Sequence, residues 1–326
     1  MEGLRTIENE DFYQAALPKL KKLESLRRVK FATYKIRKKW GITLATMLTP
    51  VCGWLDWLLI RMQSGDDGVA GVTVFFLGAL YWWVTQPKRQ YALAYKKNIL
   101  PGIARLFGDF SYKADGKIPI EVLKSSGIVP AHNRYESEDY FTGSYKGITI
   151  NLSEIHLERR SSNGKQTTYV SVFKGLAILI DMPRQKFHGH TVLMQDVNGW
   201  GKWFQEMYLN LDHANLVDPE FEKAFDVYTN DQVEARYLID PSMIENLKDM
   251  RDIYKAQTFS AAYYDHRVLV LLPSKYNYFE PAEIDVPATN PDAIVRMKEE
   301  LGRVLDLVDY LQVYEPSRQI PEDNKI

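Results

Sequence analysis

The chain of 326 residues contains one cysteine, Cys52. A single thiol excludes an intrachain disulfide and a cysteine-based zinc site. Its position inside a long apolar run leaves no nucleophilic cysteine elsewhere. A phosphate-binding glycine loop, a Gly-x-Ser-x-Gly elbow, a zincin helix and a kinase motif set are also absent from the sequence. Acid is scarce where base is crowded. From Lys19 to Lys39 ten Lys or Arg residues stand against one acid, Glu24. Lys88, Arg89, Lys96, Lys97 and Arg105 precede the next acid, Asp109.

Between those basic stretches lie two apolar runs, Gly41–Ile60 and Val69–Thr85, joined by a polar turn with two aspartates. A helix needs roughly 20 apolar residues to cross a bilayer, fewer where the bilayer thins. The pair therefore predicts a transmembrane hairpin. Lys and Arg stay on the cytoplasmic side, which places both flanks and the bulk of the chain in the cytoplasm and the connecting turn outside. Trp40, Trp54, Trp57, Tyr81, Trp82 and Trp83 near the run ends fit the interface. The charged, polar residues 1–40 ahead of the first run, and no small-residue cleavage site after it, argue against a signal peptide.

The formal net charge of −1 conceals an uneven distribution. Residues 1–39 hold 11 basic and 5 acidic side chains, whereas residues 109–326 hold 24 and 34. The basic flanks suit anionic lipid headgroups. The acidic remainder is a poor match for nucleic acid, which needs a basic face.

The sequence divides into a basic helical segment (1–39), the hairpin (40–86), a membrane-proximal helix (87–109) that Pro101-Gly102 weakens, a soluble domain (110–315) and a polar, disordered tail (316–326). In the first segment Leu17, Leu20, Leu23, Leu26 and Val29 recur every third residue. That spacing drifts around a helix and predicts a peripheral one. In the soluble domain Asn163-Gly164 is a type I′ turn signal. Folding about it pairs Leu157 with Val170, Ile155 with Val172, His156 with Ser171 and Glu158 with Tyr169. Tyr145–Leu152 and Phe173–Ile180 share the pattern aromatic–Lys–Gly–aliphatic and form a short pseudo-repeat. Further strands are expected at His190–Gln195, Val233–Ile239, Gln257–Tyr264 and Arg267–Leu272. Asp218-Pro219, Asp240-Pro241 and Asn290-Pro291 mark helix starts. The resulting fold class is α+β with a mainly antiparallel sheet and interspersed helices, behind a two-helix transmembrane hairpin.

From Tyr135 onward the chain resembles the bacterial domain of unknown function 3137 family. The likeness rests on the segment Tyr135–Gly147, on Leu152-Ser153-Glu154, on Val172-Phe173-Lys174-Gly175, on Phe187-His188-Gly189-His190-Thr191-Val192 and on the segment Tyr228–Tyr237. It covers most of 110–280 and implies a membrane-anchored protein in a bacterial inner membrane. It implies no reaction, cofactor or catalytic residue.

Candidate site residues fall into four groups. Glu136, Glu138 and Asp139 with Tyr135 and Tyr140 form an acidic-aromatic cluster in a loop ahead of the first hairpin strand, and Glu154 is a separate candidate binding residue. The cluster is suited to cation binding or general acid–base work. His188 and His190 share a strand face and could meet one metal. The missing helical histidine pair and carboxylate favour a plain turn. Asp231 and Arg236 sit on opposite faces of an expected strand, with Glu234 beside Arg236 as a surface ion pair. Asp56 is a carboxylate inside the first run; its place near the run end between Trp54 and Trp57 favours the interface over an ion pathway. Ile294, Met297, Leu301, Val304, Val308 and Leu311 form a heptad-like stripe. It either packs on the domain's own sheet or joins a second copy. The functional expectation is a membrane-anchored interaction or scaffold protein that is not an enzyme and needs no cofactor, with other proteins as partners. The alternative is a hydrolase or ligand-binding domain using Tyr135–Tyr140.

Overall fold

The computed structural model describes residues 9–62, 71–162, 167–182, 186–195, 211–214, 219–222, 225–253 and 259–311. The chain forms two compact units, one of Glu8–Ile99 with Glu280–Val295 and one of Leu100–Phe279 that resumes at Arg296.

The first unit is helical. Helix α1 (Asn9–Met62) merges the expected basic segment and the first apolar run into 54 continuous residues, through Pro18 and Pro50. Among the described residues the stretch Glu10–Met62 is the one helix long and apolar enough to cross a membrane. Helix α2 (Val72–Asn98) takes most of the second run. Its described apolar stretch ends at Val84, ahead of Lys88 and Arg89, and is too short by that measure. The two helices lie antiparallel. Lys30 Nζ donates to Gln90 at 2.5 Å, and Arg37 donates to Trp83 O at 3.0 Å and to Gln86 at 2.7 Å. Asp56 closes the far end, where its two carboxylate oxygens accept the Val72 and Thr73 N–H groups at 2.9 Å each. Those donors belong to the first turn of α2, which has no partner within the helix. Asp56 is 5% exposed, so its position is that of a helix cap supplied by the neighbouring helix.

The basic half of α1 is not peripheral. Its buried stripe is Phe12, Ala16, Leu20, Leu23 and Arg27, whereas Val29 is 63% exposed. Spacings of four, four, three and four follow the helical period, which a strict three-residue repeat does not. Within this unit Glu24 accepts from Arg27 Nε at 2.8 Å, from Arg28 Nε at 2.9 Å and from Ala288 N at 2.8 Å. Arg27 Nη1 donates to Ile284 O at 2.5 Å, and Tyr13 Oη to Thr289 O at 2.7 Å. The Arg27 guanidinium holds the Glu24 carboxyl down to about 2.

Among the described residues the second unit is built on a nine-stranded antiparallel sheet, so the α+β class holds. In chain order the strands are β1 (Ser111–Lys113), β2 (Arg134–Tyr145), β3 (Ile148–Ser162), β4 (Thr167–Asp181), β5 (Thr191–Gln195), β6 (Asp212–His213), β7 (Phe225–Thr229), β8 (Ser260–Tyr264) and β9 (Arg267–Pro273). Their order across the sheet is β1-β2-β3-β4-β9-β8-β5-β7-β6. A core of Ile155, Leu157, Phe173, Leu179, Val192 and Leu269 packs with Leu123 of the short helix α4 (Ile120–Lys124). Helix α3 (Leu100–Leu106) follows α2 directly and absorbs Pro101 in its first turn, so the break falls at Ile99 instead of Pro101-Gly102.

The hairpin register differs from expectation. Ser162 pairs with Thr167 and Glu158 with Ser171, which makes the connection four residues long. The Asn163-Gly164 turn itself lies outside the described residues. An irregularity between Leu157 and Glu158 then shifts the pairing once more, so Leu157 meets Phe173 and Ile155 meets Gly175. Such a bulge inserts one extra residue, here Val172, and restores the apolar face toward the core. The pseudo-repeat is not structural. Lys146-Gly147 turns β2 into β3 with φ of 50° and 86°, whereas Lys174-Gly175 runs within β4.

Residues 232–239 are not a strand. Helix α5 (Pro219–Glu222) precedes β7, and helix α6 (Gln232–Leu238) follows it. The Asp231 side chain accepts from Val233 N at 3.0 Å and Glu234 N at 2.9 Å, an N-cap. Glu234, Ala235 and Leu238 are buried while Val233 is 79% exposed, a helical pattern that a two-residue reading misses. The expected starts at Asp240 and Asn290 hold, whereas Asp218 lies outside the described residues: Asp240 Oδ1 caps α7 (Pro241–Ile253) through Met243 N at 2.8 Å, and Asn290 Oδ1 accepts from Asp292 N at 3.0 Å to open α8 (Pro291–Tyr310). On α8 the stripe Ile294, Met297, Leu301, Val304, Val308 and Leu311 is buried at 3% exposure or less. It is therefore spent inside the chain and offers no seam for a second copy, which corrects the self-association expected through Ile294–Leu311.

Candidate functional site

A concavity on the sheet unit opens over β2, β3 and β4. It is a cleft of about 340 Å³ lined by Glu136, Glu138, Glu154, His156 and Lys174, together with Ser137 and Ile155. Strand geometry explains the set. Glu136 pairs with His156 and His156 with Lys174, while Glu138 pairs with Glu154. Alternate residues of a strand share a face, so these five side chains emerge together. Glu154 is 3% exposed and accepts from Tyr278 N at 3.0 Å. Lys174 Nζ donates to Asn277 Oδ1 at 2.5 Å. His156 Nε2 is 3.0 Å from Ser171 Oγ, and its Nδ1 is 3.9 Å from Glu136 Oε2.

The acidic-aromatic cluster is thus part of strand β2 instead of a loop, and the fold splits it. The register shifts between Glu138 and Phe141. Asp139 sits at φ 55°, fully buried, and accepts from Tyr112 Oη at 2.6 Å. Tyr140 Oη donates to Asn151 Oδ1 at 2.8 Å. Glu136, Glu138 and Glu154 converge on the cleft, while Asp139 and Tyr140 brace the bulge. The expected grouping contained neither Lys174 nor Ser171. The alternation along β4 is the signal that places Lys174 beside His156, once the register is known.

The histidine segment and the segment around Asp231 meet in a separate arrangement. Glu234 accepts His188 N–H at 2.8 Å and Gly189 N–H at 2.6 Å. Asn230 Oδ1 accepts His190 N–H at 2.7 Å, and Thr191 Oγ1 lies 2.9 Å from Thr229 Oγ1. A Cβ on Gly189 would come within 2.6 Å of Asp231 Cβ, so only glycine fits there. Burial pushes the Glu234 carboxyl above its ordinary range, against the two backbone donors. These contacts clasp the turn before β5 to the start of α6. The His188 side chain is exposed, whereas His190 Nε2 is 2.7 Å from Ser126 O and its ring stacks on Tyr264. Burial holds the His190 ring below its ordinary pKa. Among the described residues no cluster of three potential metal ligands includes either histidine. Arg236 is exposed on α6 and shows no ion pair with Glu234, which faces inward.

Fold and site define an α+β sheet domain preceded by a long apolar helix. Residues 171–313 match the model of a family described as a protein of unknown function (DUF3137). The match is to the family that its motifs resemble, and the Phe187–Val192 and Tyr228–Tyr237 segments fall within the matched range. No curated protein matches the chain. A solved structure, the mycobacterial trehalose monomycolate transport factor A (TtfA), is similar at 13% identity and a TM-score of 0.34, covering 65% of this chain and 92% of that one. A likeness at that level carries no argument about function.

Proposed function

We propose that this chain is a membrane-anchored interaction protein whose sheet domain binds a partner and performs no catalysis. In this reading α1 and α2 span an inner membrane as a hairpin, with both flanks and the sheet domain cytoplasmic. The observation that carries it is a belt of exposed apolar side chains on both helices. Trp40, Ile42, Met47, Val51, Trp54 and Trp57 on α1 face outward, as do Val74, Phe75, Tyr81 and Trp82 on α2. A water-soluble protein rarely leaves so large a patch open, whereas in hydrocarbon it is the favourable surface. The basic residues flanking the two helices on the cytoplasmic side suit anionic headgroups. The motif residues Glu234, Asp231 and Asn230 hold backbone in place, which supports a role in the fold over one in chemistry. Reporter fusions test the topology. A fusion after Asp67 is expected to be active outside the cytoplasm and one after Gly116 inside; the reverse pattern overturns the reading.

A second reading, a hydrolase, is favoured by one observation. Ser171, His156 and Glu136 follow one another in the order of nucleophile, base and orienting acid. The 3.9 Å between His156 and Glu136 exceeds a hydrogen bond, and both Ser171 and Glu136 are exposed. Treatment of the full chain with a fluorophosphonate is expected to leave Ser171 unlabelled. Labelling that disappears in Ser171→Ala and His156→Ala would establish the hydrolase instead.

A further inference from the structure

The outer half of the β2–β4 arm is open on both faces. Arg159 to Ser162 on β3 and Thr167 to Ser171 on β4 are all exposed. A two-stranded ribbon in water is marginally stable, and this one also leaves Tyr169 and Val170 uncovered. Its charge is unlike that of the rest of the domain. Arg134, Arg159 and Arg160 stand there against Glu158, which is 3.5 Å from Arg134. Arg134 also lies over the Tyr169 ring at 3.3 Å from its centroid.

On one face of this arm the charges are ordered along the strands. Glu154, His156, Glu158 and Arg160 alternate on β3, beside Glu138, Glu136 and Arg134 on β2. The carboxylate end is the cleft of Glu136, Glu138 and Glu154, where Lys174 is bound to Asn277. The opposite end carries Arg134, Arg160 and Tyr169. Six residue steps separate Glu154 from Arg160, a strip of about 20 Å at the usual strand rise. A strip acidic at one end and basic at the other is complementary to itself when rotated by a half turn. That is the requirement of an isologous contact, in which one patch serves both partners.

We propose that this face pairs two copies of the chain about a two-fold axis, with the arginine end of each arm lying on the carboxylate cleft of the other. The pairing goes beyond the anchored-protein reading and does not depend on it. Aromatic and arginine side chains at the arm end are the residue types that dominate such contacts. The α8 stripe, spent within the chain, plays no part. Complementary charge of this kind also sets the angle at which copies meet and makes the contact sensitive to salt.

The test uses the full chain in a neutral detergent, with mass measured by light scattering and fold checked by circular dichroism. The wild type is expected to be a dimer that dissociates as salt is raised. The double variants Arg134→Glu/Arg160→Glu and Glu136→Arg/Glu138→Arg are each expected to weaken it by about a hundredfold or more, because like charges then face one another. Mixing the two variants is expected to restore a mixed dimer, a rescue that misfolding of either one cannot imitate. A monomeric wild type overturns the proposal, as do variants that still pair alone. A third result also overturns it: arm variants that stay dimeric but lose binding to vesicles containing anionic lipid would assign the arm to a membrane surface.

Discussion

Replacing Gly175 with alanine is expected to destabilise the sheet domain severely. Gly175 adopts φ 153°, and a Cβ there would lie 2.0 Å from Leu272 O and 2.9 Å from Pro273 Cα. The obstacle is backbone, which cannot rotate away as a side chain can. Gly175 is where β4 begins its pairing with β9, opposite Pro273. Relief of the clash therefore requires the two central strands to separate at that end. A loss above about 4 kcal/mol follows, in the range reserved for backbone and packing conflicts. Gly147 is the control. It also has positive φ, 86°, but a Cβ there meets nothing within 4 Å. Gly147→Ala is expected to cost only about 1–2 kcal/mol, the ordinary penalty of a left-handed residue. Denaturation of the two purified full-length variants in detergent separates the cases. Equal stability of both would show that β4 and β9 do not approach as closely as described.

Replacing Arg27 with methionine is expected to destabilise the helical unit by about 3–5 kcal/mol, the cost of leaving a buried carboxylate without its main counter-charge. Arg27 provides two of the bonds to Glu24, at 2.8 and 2.9 Å, and ties α1 to Ile284 O. The pH dependence follows from the lowered Glu24 pKa. The carboxylate titrates near 4.5 ordinarily and near 2 when paired, so the folded state binds its proton less readily than the unfolded chain. The stabilisation is complete above about pH 4.5 and disappears as pH falls toward 2. Arg27 stays charged throughout. The gap in denaturation midpoint between wild type and Arg27→Met is therefore expected to be widest near neutrality and to close as pH falls from about 4.5 toward 2. A constant gap across that range would remove Glu24 from the explanation.

These two positions show how differently sequence and structure share the information. Arg27 and Glu24 are both visible as charges in a basic segment, and a three-residue separation puts them on one helix face. Their burial is not visible, because it depends on residues 284–288, more than 250 positions away. Gly175 is visible as a glycine amid β-branched residues, a hint of a bulge or a close strand. The strand that approaches it, β9, comes almost a hundred residues later.

Local chemistry was sufficient wherever the determining contact is short in sequence. The apolar runs, the caps at Asp240 and Asn290 and the antiparallel class all follow from neighbours a few residues apart. Tertiary contact decided the rest. Asp56 became a cap because α2 starts beside it, and α6 became a helix because Ala235 and Leu238 find a core while Glu234 takes up the backbone of His188 and Gly189. The acidic cluster was divided by a bulge that turns Asp139 inward and leaves Glu136 and Glu138 over the cleft, and the α8 stripe found its partners within the chain. Periodicity records which side of an element is apolar; only packing assigns what that side meets.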